Sequence, residues 1–262
     1  MTISFTEMIA GAAFADGKLS LTIREDWMQG RTTYGGLSAA ICHEAAVRSF
    51  DGLPPLRSAM VSFIGPAGGL VTGEARLLRQ GKSVSFVEAD VLGEKGLATR
   101  AVFGFGAGRQ SIFDQTFLKA PTKPGPDGLE PYIPENLGPN FSQHFETRFA
   151  SGARPGTGSS EHEHFIWVRH RDNRATDLTA LLALADMPPP AVMPMFKEFS
   201  PISSMTWMVN FLTDTPQTDD GWWLLSTSAE NASQGYSSQD MMIWNRAGEL
   251  VVTGRQSVAI FQ

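Results

Sequence analysis

The chain has little cysteine, no excess of positive charge and no long apolar run. Its 262 residues include a single cysteine, Cys42. One thiol excludes an intramolecular disulfide and fits a reducing compartment. Lys and Arg total 21 against 27 Asp and Glu, a net charge of −6. That balance argues against nucleic acid as the main partner, yet leaves room for a small anionic ligand held by a few local cations. No stretch reaches the ~18 apolar residues of a membrane span, so no membrane insertion is expected. The N-terminal MTISFTEMIAGAAFADGKL has no basic leader, and Asp16 interrupts it. The expectation is therefore a cytoplasmic protein without a signal peptide. Motifs are missing too. No G-x-S-x-G elbow supports a covalent serine hydrolase. His162 and His164 have metal-like spacing, but no Cys/His cluster completes a four-ligand site, so no metal is expected and the bland reading is an exposed polar strand face.

What is present is glycine, proline and alternation. The chain is 42% hydrophobic with 26 Gly and 16 Pro, the composition of a turn-rich, β-rich fold. Gly17–Trp27 reads as a strand. In YGGLSAAICHEAAVRSF, Leu37, Ala40, Ile41 and Ala45 keep helical spacing until Asp51-Gly52 and Pro54-Pro55 stop it. Cys42 is read as a small buried residue of this helix. Strand-like runs follow at Ser58–Ile64, Leu70–Arg79, Ser83–Leu92 and Leu97–Phe105. From Gly106 to about Phe141 the chain is rich in Pro and Gly and aperiodic, a linker laid over the surface. Then the pattern restarts: strands QHFETRFA and HEHFIWVRHR, a helix in ATDLTALLALADMPPP, and strands at Ser204–Leu212, Trp222–Asn231, Gln239–Asn245 and Leu250–Phe261.

The two halves match at near-constant offsets. Met60-Val61-Ser62-Phe63 against Met208-Val209-Asn210-Phe211 gives 208 − 60 = 148. Gly81-Lys82-Ser83 against Gly235-Tyr236-Ser237 gives 235 − 81 = 154, and Leu97 against Leu250 gives 153. Such an offset marks a duplicated domain. The expected halves are residues 1–108 and 142–262, joined by a linker at 109–141.

In order and spacing, YGGLSAAICHEAA, RSAMVSFIGP, LLRQGKSVSFVEADV, LLALADMPP, SSMTWMVNFL and VVTGRQSVAIF resemble acyl-CoA thioesterase II and its double hotdog relatives. The resemblance implies an α+β double hotdog: two tandem antiparallel sheets, each wrapping one long helix. It implies hydrolysis of acyl-CoA thioesters by water, oriented by an Asp, a Ser or Thr, and a Gln of the second half. It implies no cofactor.

The residues themselves point to the same trio. Asp186 extends the apolar stripe of Leu178, Leu181, Leu182 and Ala185. A carboxylate there, at the helix end whose dipole disfavours an anion, needs hydrogen-bond donors. The competing reading is that Met187-Pro188 ends the helix and turns Asp186 to solvent. Ser204 matches the place of the family's hydroxyl. Thr206, two residues on and read as sharing its face, is the reserve. Gln256 has the parity of Val252, Gly254 and Val258, so it faces inward. The first-half counterparts, Ala46, Leu56 and Phe103, are apolar, which implies one catalytic centre per chain.

Other candidate residues complete the set. Tyr34-Gly35-Gly36 opens the first helix. There Gly35 and Gly36 would let backbone N–H groups meet an oxyanion, or would simply allow close helix packing. Tyr34, Arg31, Arg79 and Lys82 are candidate substrate contacts, the cations meeting the phosphates of CoA or remaining solvated. Two other function classes fit less well. An enoyl-CoA hydratase-like hotdog would use Asp177 but has no nearby helical His, and a non-catalytic acyl-CoA or lipid-binding module needs no trio at all. The six tryptophans read as core and interface, with a homodimer or higher homo-oligomer open to a duplicated scaffold.

Overall fold

A computed structural model describes residues 2–134, 137–198 and 200–261. Residues 135 and 136 of the expected linker thus lie outside the described residues. The chain begins with helix α1 (Phe5–Ala10), whose N-terminus is closed by a reciprocal capping box between Ser4 and Glu7. Strands β1 (Ala13–Ala15) and β2 (Lys18–Ile23) follow, then the short ladder of β3 (Met28–Gln29) and β4 (Thr32–Thr33). Helix α2 (Gly35–Ser49) leads to β5 (Leu56–Phe63), β6 (Gly69–Gln80), β7 (Val84–Gly93) and β8 (Gly96–Gly106). No helix or strand is assigned to the described residues between 107 and 139. The second half runs β9 (Phe145–Ser151), β10 (Glu163–His170), α3 (Leu178–Ala185), β11 (Ile202–Phe211), β12 (Trp223–Ser233), β13 (Tyr236–Asn245) and β14 (Leu250–Ile260).

One sequence expectation is sharpened here and one changes. The two expected tandem sheets are joined edge to edge, so that twelve strands form one continuous sheet in the order β1-β2-β6-β7-β8-β5-β11-β14-β13-β12-β10-β9. The seam is the antiparallel pair β5–β11, where Met208 lies opposite Met60 and Trp207 opposite Val61. Pairing there removes two exposed strand edges at once. The second helix has 8 residues against 15 for α2, so it is not long. Asp177 starts α3 by accepting from the Ala180 N–H, and Pro188 follows soon after its end.

The two sides of the seam repeat each other in detail. β5 is bulged between Leu56 and Ser58 against β8, and β11 is bulged between Ser204 and Thr206 against β14. The bulged residues, Arg57 and Met205, differ by 205 − 57 = 148. Phe103 opposite Ala59 corresponds to Gln256 opposite Trp207, an offset of 153. Val87 opposite Phe103 corresponds to Gln239 opposite Gln256, an offset of 239 − 87 = 152. The turn match at 154 is therefore displaced by two residues from the true strand register.

Helix α2 lies against β6, β7 and β8 and also against α3. Leu37, Ala39, Ala40, Ile41, Cys42, Ala45 and Ala46 are all fully buried. Gly73 of β6 makes room for this: a Cβ there would meet the Ala45 methyl and the Leu19 Cβ at 3.0 and 3.4 Å. A second apolar cluster, Phe165, Trp167, Trp222, Leu224, Trp244 and Leu250, is covered by Ala120 and Leu129 of the linker. Trp167 donates its indole N–H to the Pro124 carbonyl at 2.8 Å, which pins that covering segment. Trp222 and Trp223 are thus core residues, as expected.

Candidate active site

Asp186 is the first residue past α3, with φ −92° and ψ 5°. Its place at the C-terminus of α3 is unfavourable for an anion, but the site is built from two helices. The side chain meets the N-terminus of α2, whose own N-cap residue, Tyr34, supplies no side-chain acceptor. The Gly36 N–H faces the Asp186 carboxylate and favours its charged form. The N-terminal dipole of α2 therefore works for the anion where that of α3 works against it.

Both glycines are required by closeness. A Cβ at Gly35 would lie 2.6 Å from Asp186 Oδ2 and 3.2 Å from the Phe63 ring. A Cβ at Gly36 would overlap the Ala183 carbonyl oxygen and the Tyr34 ring. Tyr34 is buried, stacks on Phe141 at 4.0 Å and donates its hydroxyl to the Ala183 carbonyl at 2.6 Å. It clamps the start of α2 onto the end of α3, a structural duty the sequence did not disclose. His43 joins the same helices lower down, with Nδ1 2.9 Å from Thr179 Oγ1, and burial holds its pKa down at about 4.

Gln256 completes the carboxylate's surroundings. Its Nε2 donates to Asp186 Oδ1 at 2.8 Å. Its own Oε1 accepts from Gln239 Nε2 at 2.6 Å, and Gln239 Oε1 accepts from the Ala191 N–H at 2.9 Å. Gln239 and Gln256 are 0% and 2% exposed, so these bonds are screened from water. Asp186 itself is half-buried. Desolvation raises its pKa to about 7, opposed by the hydrogen bonds from Gln256 and Gly36.

The bulge sets the two candidate hydroxyls on opposite faces. Ser204 lies opposite Val258, which is fully buried, so it sits on the inner face with Trp207 and Gln256. Thr206 lies opposite Ser257 and Ser62 on the other face and is exposed. The extra residue, Met205, breaks the alternation that had placed Ser204 and Thr206 together. Thr206 therefore does not share the face of Ser204, contrary to the strict alternation read from the sequence. Ser204 is half-buried, and its hydroxyl has no hydrogen-bond partner among the described residues.

The remaining candidates lie outside this cluster. Arg79 and Lys82 are exposed at the β6–β7 turn, and Arg31 is exposed between β3 and β4. A cleft of about 960 Å³ lined by Asp172, Asp177, Leu181, Asp214 and Trp223 does not border Asp186, Ser204 or Gln256. The chemistry, not the open volume, marks the site. The histidine strand differs from the sequence reading in part: His164 is fully buried, while His162 is exposed, with its Nδ1 3.0 Å from the Ala229 carbonyl. Among the described residues no group of three or more His, Cys, Asp or Glu could hold a metal ion. Among the described residues no helix is long and apolar enough to cross a membrane. Gln239 escaped the sequence reading. Its signal was parity with Ser237, Met241 and Ile243, masked by polar neighbours on the opposite face.

Comparison with known proteins gives this geometry a family. Residues 23–106 match the model of the acyl-CoA thioesterase N-terminal domain, and residues 118–260 match that of the C-terminal domain. No curated protein matches the chain. Among solved structures, a hotdog-fold protein of unknown function from Alicyclobacillus acidocaldarius superposes with TM-score 0.89 at 23% identity, over 100% of this chain and 99% of that one. A putative thioesterase II from Thermobifida fusca gives 0.82 at 16% identity, over 100% and 99%. The acyl-CoA thioesterase II TesB2 of Mycobacterium marinum gives 0.77 at 18% identity, over 98% of each chain. With a hotdog fold and both domain models matched in order across most of its length, the chain belongs to the acyl-CoA thioesterase family and is a thioester hydrolase.

Proposed function

We propose that Asp186 is the general base of an acyl-CoA hydrolase, and that Ser204 and Gln256 hold the attacking water beside it. Asp186 takes a proton as the water oxygen adds to the thioester carbonyl. The resulting oxyanion collapses, the C–S bond breaks, and the proton passes from Asp186 to the departing CoA thiolate. The products are a free carboxylic acid and CoA. The observation that carries this reading is a carboxyl with pKa near 7 that accepts a 2.8 Å bond from Gln256. Such a group is available as a base at neutral pH without being too weak to act, a contribution of about 10²–10⁴ in rate.

The oxyanion needs donors of its own. The first turn of α2 has backbone N–H groups without intrahelical partners. With the Gly36 N–H turned to Asp186, that of Gly35 beside it is left for the oxyanion, and the missing Cβ permits the approach. The phosphates of CoA would meet Arg79, Lys82 and Arg31, none of which has an ion-pair partner among the described residues. The architecture is read as a double hotdog with halves 1–108 and 142–262 and a linker at 109–141. The matching bulges on either side of the seam support that reading.

The test is release of CoA thiol from a series of acyl-CoA esters. Asp186→Asn is expected to lower kcat by about 10²–10⁴ while circular dichroism stays that of the parent. Undiminished hydrolysis by this variant would refute the assignment.

A further inference from the structure

We propose that Gln239 is a positioning residue that locks the Gln256 amide with its NH₂ turned toward Asp186. The lock follows from the direction of each bond. A glutamine amide can be turned over, exchanging its oxygen and nitrogen at almost no steric cost. In this chain of bonds one member cannot turn. The Ala191 backbone N–H only donates, so the Gln239 atom 2.9 Å from it is the oxygen. The Gln239 NH₂ then faces Gln256 at 2.6 Å, which requires the Gln256 oxygen there. The Gln256 NH₂ is left for Asp186 Oδ1 at 2.8 Å.

Turning Gln256 over would place NH₂ against NH₂ on one side and oxygen against carboxylate on the other. Neither group could find water instead, since Gln239 is 0% and Gln256 2% exposed. The anchor is also firm. Ala191 is fully buried and belongs to the small cluster with Val192, Phe196 and Ala229. Ala229 lies directly opposite Gln239 on β12, so the anchor and the relay share one patch of sheet.

The lock matters because Asp186 changes its own demand. Ionised, it wants a donor from Gln256. Protonated, it could donate its O–H to the Gln256 oxygen if that amide were free to turn. Without Gln239 the neutral acid would gain a partner it now lacks. Gln239 therefore denies the protonated form its best hydrogen bond and keeps the base ionised at lower pH.

The inference rests on Asp186 acting as the base, so its test reads both the carboxyl and the reaction. Gln239→Met keeps the side-chain length and removes the donor. The Asp186 carboxyl is followed by ¹³C NMR of aspartate-labelled protein, with Asp186→Asn assigning the resonance. The expected result is a titration midpoint raised by about one unit. The acid limb of kcat/KM should move with it, kcat falling more than KM changes at pH 7 and recovering by pH 9. A purely structural role would lower activity evenly across pH. An unmoved carboxyl midpoint overturns the proposal. A midpoint that moves while Asp186→Asn still hydrolyses overturns the base assignment instead. Should Gln239→Met fail to fold, the wild-type protein decides. The Gln256 NH₂ protons are expected to shift with the Asp186 titration, and unresponsive protons would count against the lock.

Discussion

The two halves of the sheet share bulges, strand order and register, yet only one carries polar side chains at the matched inner positions. Where the first half has Leu56, Val87 and Phe103, the second has Ser204, Gln239 and Gln256. The first-half residues are 2%, 0% and 0% exposed, an ordinary apolar core. Their second-half equivalents are polar, and the two glutamines are buried as deeply. The helices differ in a matching way. The 15-residue α2 fills its half, while the 8-residue α3 stops early and leaves Asp186 beside the start of α2. One half thus serves as the packed wall and donates a helix N-terminus, and the other trades apolar packing for a polar relay. On the proposed mechanism, the chemistry of the site comes from the residues set at these equivalent positions and not from the sheet geometry the halves share.

The sharpest way to break this contrast is to make the second half like the first. Gln256→Phe copies Phe103 into the relay and strips Asp186 of its donor. It is expected to lower kcat/KM by about 10²–10³ in thiol-release assays, with the Asp186 carboxyl titrating above pH 7 by NMR. The next effect tests the joint between the helices. Gly36→Ala drives a methyl against the Ala183 carbonyl and the Tyr34 ring, so α2 and α3 must separate. A loss of roughly 2–3 kcal/mol in denaturant unfolding is expected, along with impaired turnover.

Acidity gives a third test. With the Asp186 pKa at about 7, the base is ionised above that pH, and kcat/KM should rise with pH to a limb centred there. Stability runs the other way. Folding raises this carboxyl above its ordinary 3.8, so the native state holds the proton more tightly than the unfolded chain. Its contribution is fully present below about pH 4 and is lost as pH rises through 7. Asp186→Asn should flatten that decline, recovering on the order of 1–3 kcal/mol at pH 8 by denaturant titration. The smallest effects separate the two hydroxyls. Ser204→Ala on the inner face should cost about 10-fold in kcat, a single lost hydrogen bond. Thr206→Ala on the outer face should leave the rate within about 2-fold.

Most strands were legible because period-2 alternation survives wherever one face is buried. β6 to β8 and β11 to β14 fall within a few residues of their sequence limits. Helix α1 was missed although Ser4 and Glu7 spell its capping box. Asp186 and Gln256 could be read as misfits on apolar stripes. The Ser204–Thr206 choice could not. A bulge is a property of two strands, and nothing in SSMTWMVNFL alone announces that Met205 is the surplus residue. Gln239 and the Tyr34 clamp were hidden for a related reason: each is defined by a partner more than a dozen residues away, Gln256 and Ala183 respectively.

The carboxylate and the helix that faces it come from opposite ends of the polypeptide. Asp186 is supplied by the later half, and the Gly36 N–H by the earlier one. On the proposed mechanism, neither half expressed alone would assemble a working centre, however well it folds. Once the ancestral copies had specialised, separation into two genes would require that both products meet and dock before a single thioester could be cut. On that reading, fusion is a condition for activity as well as a trace of how the chain arose.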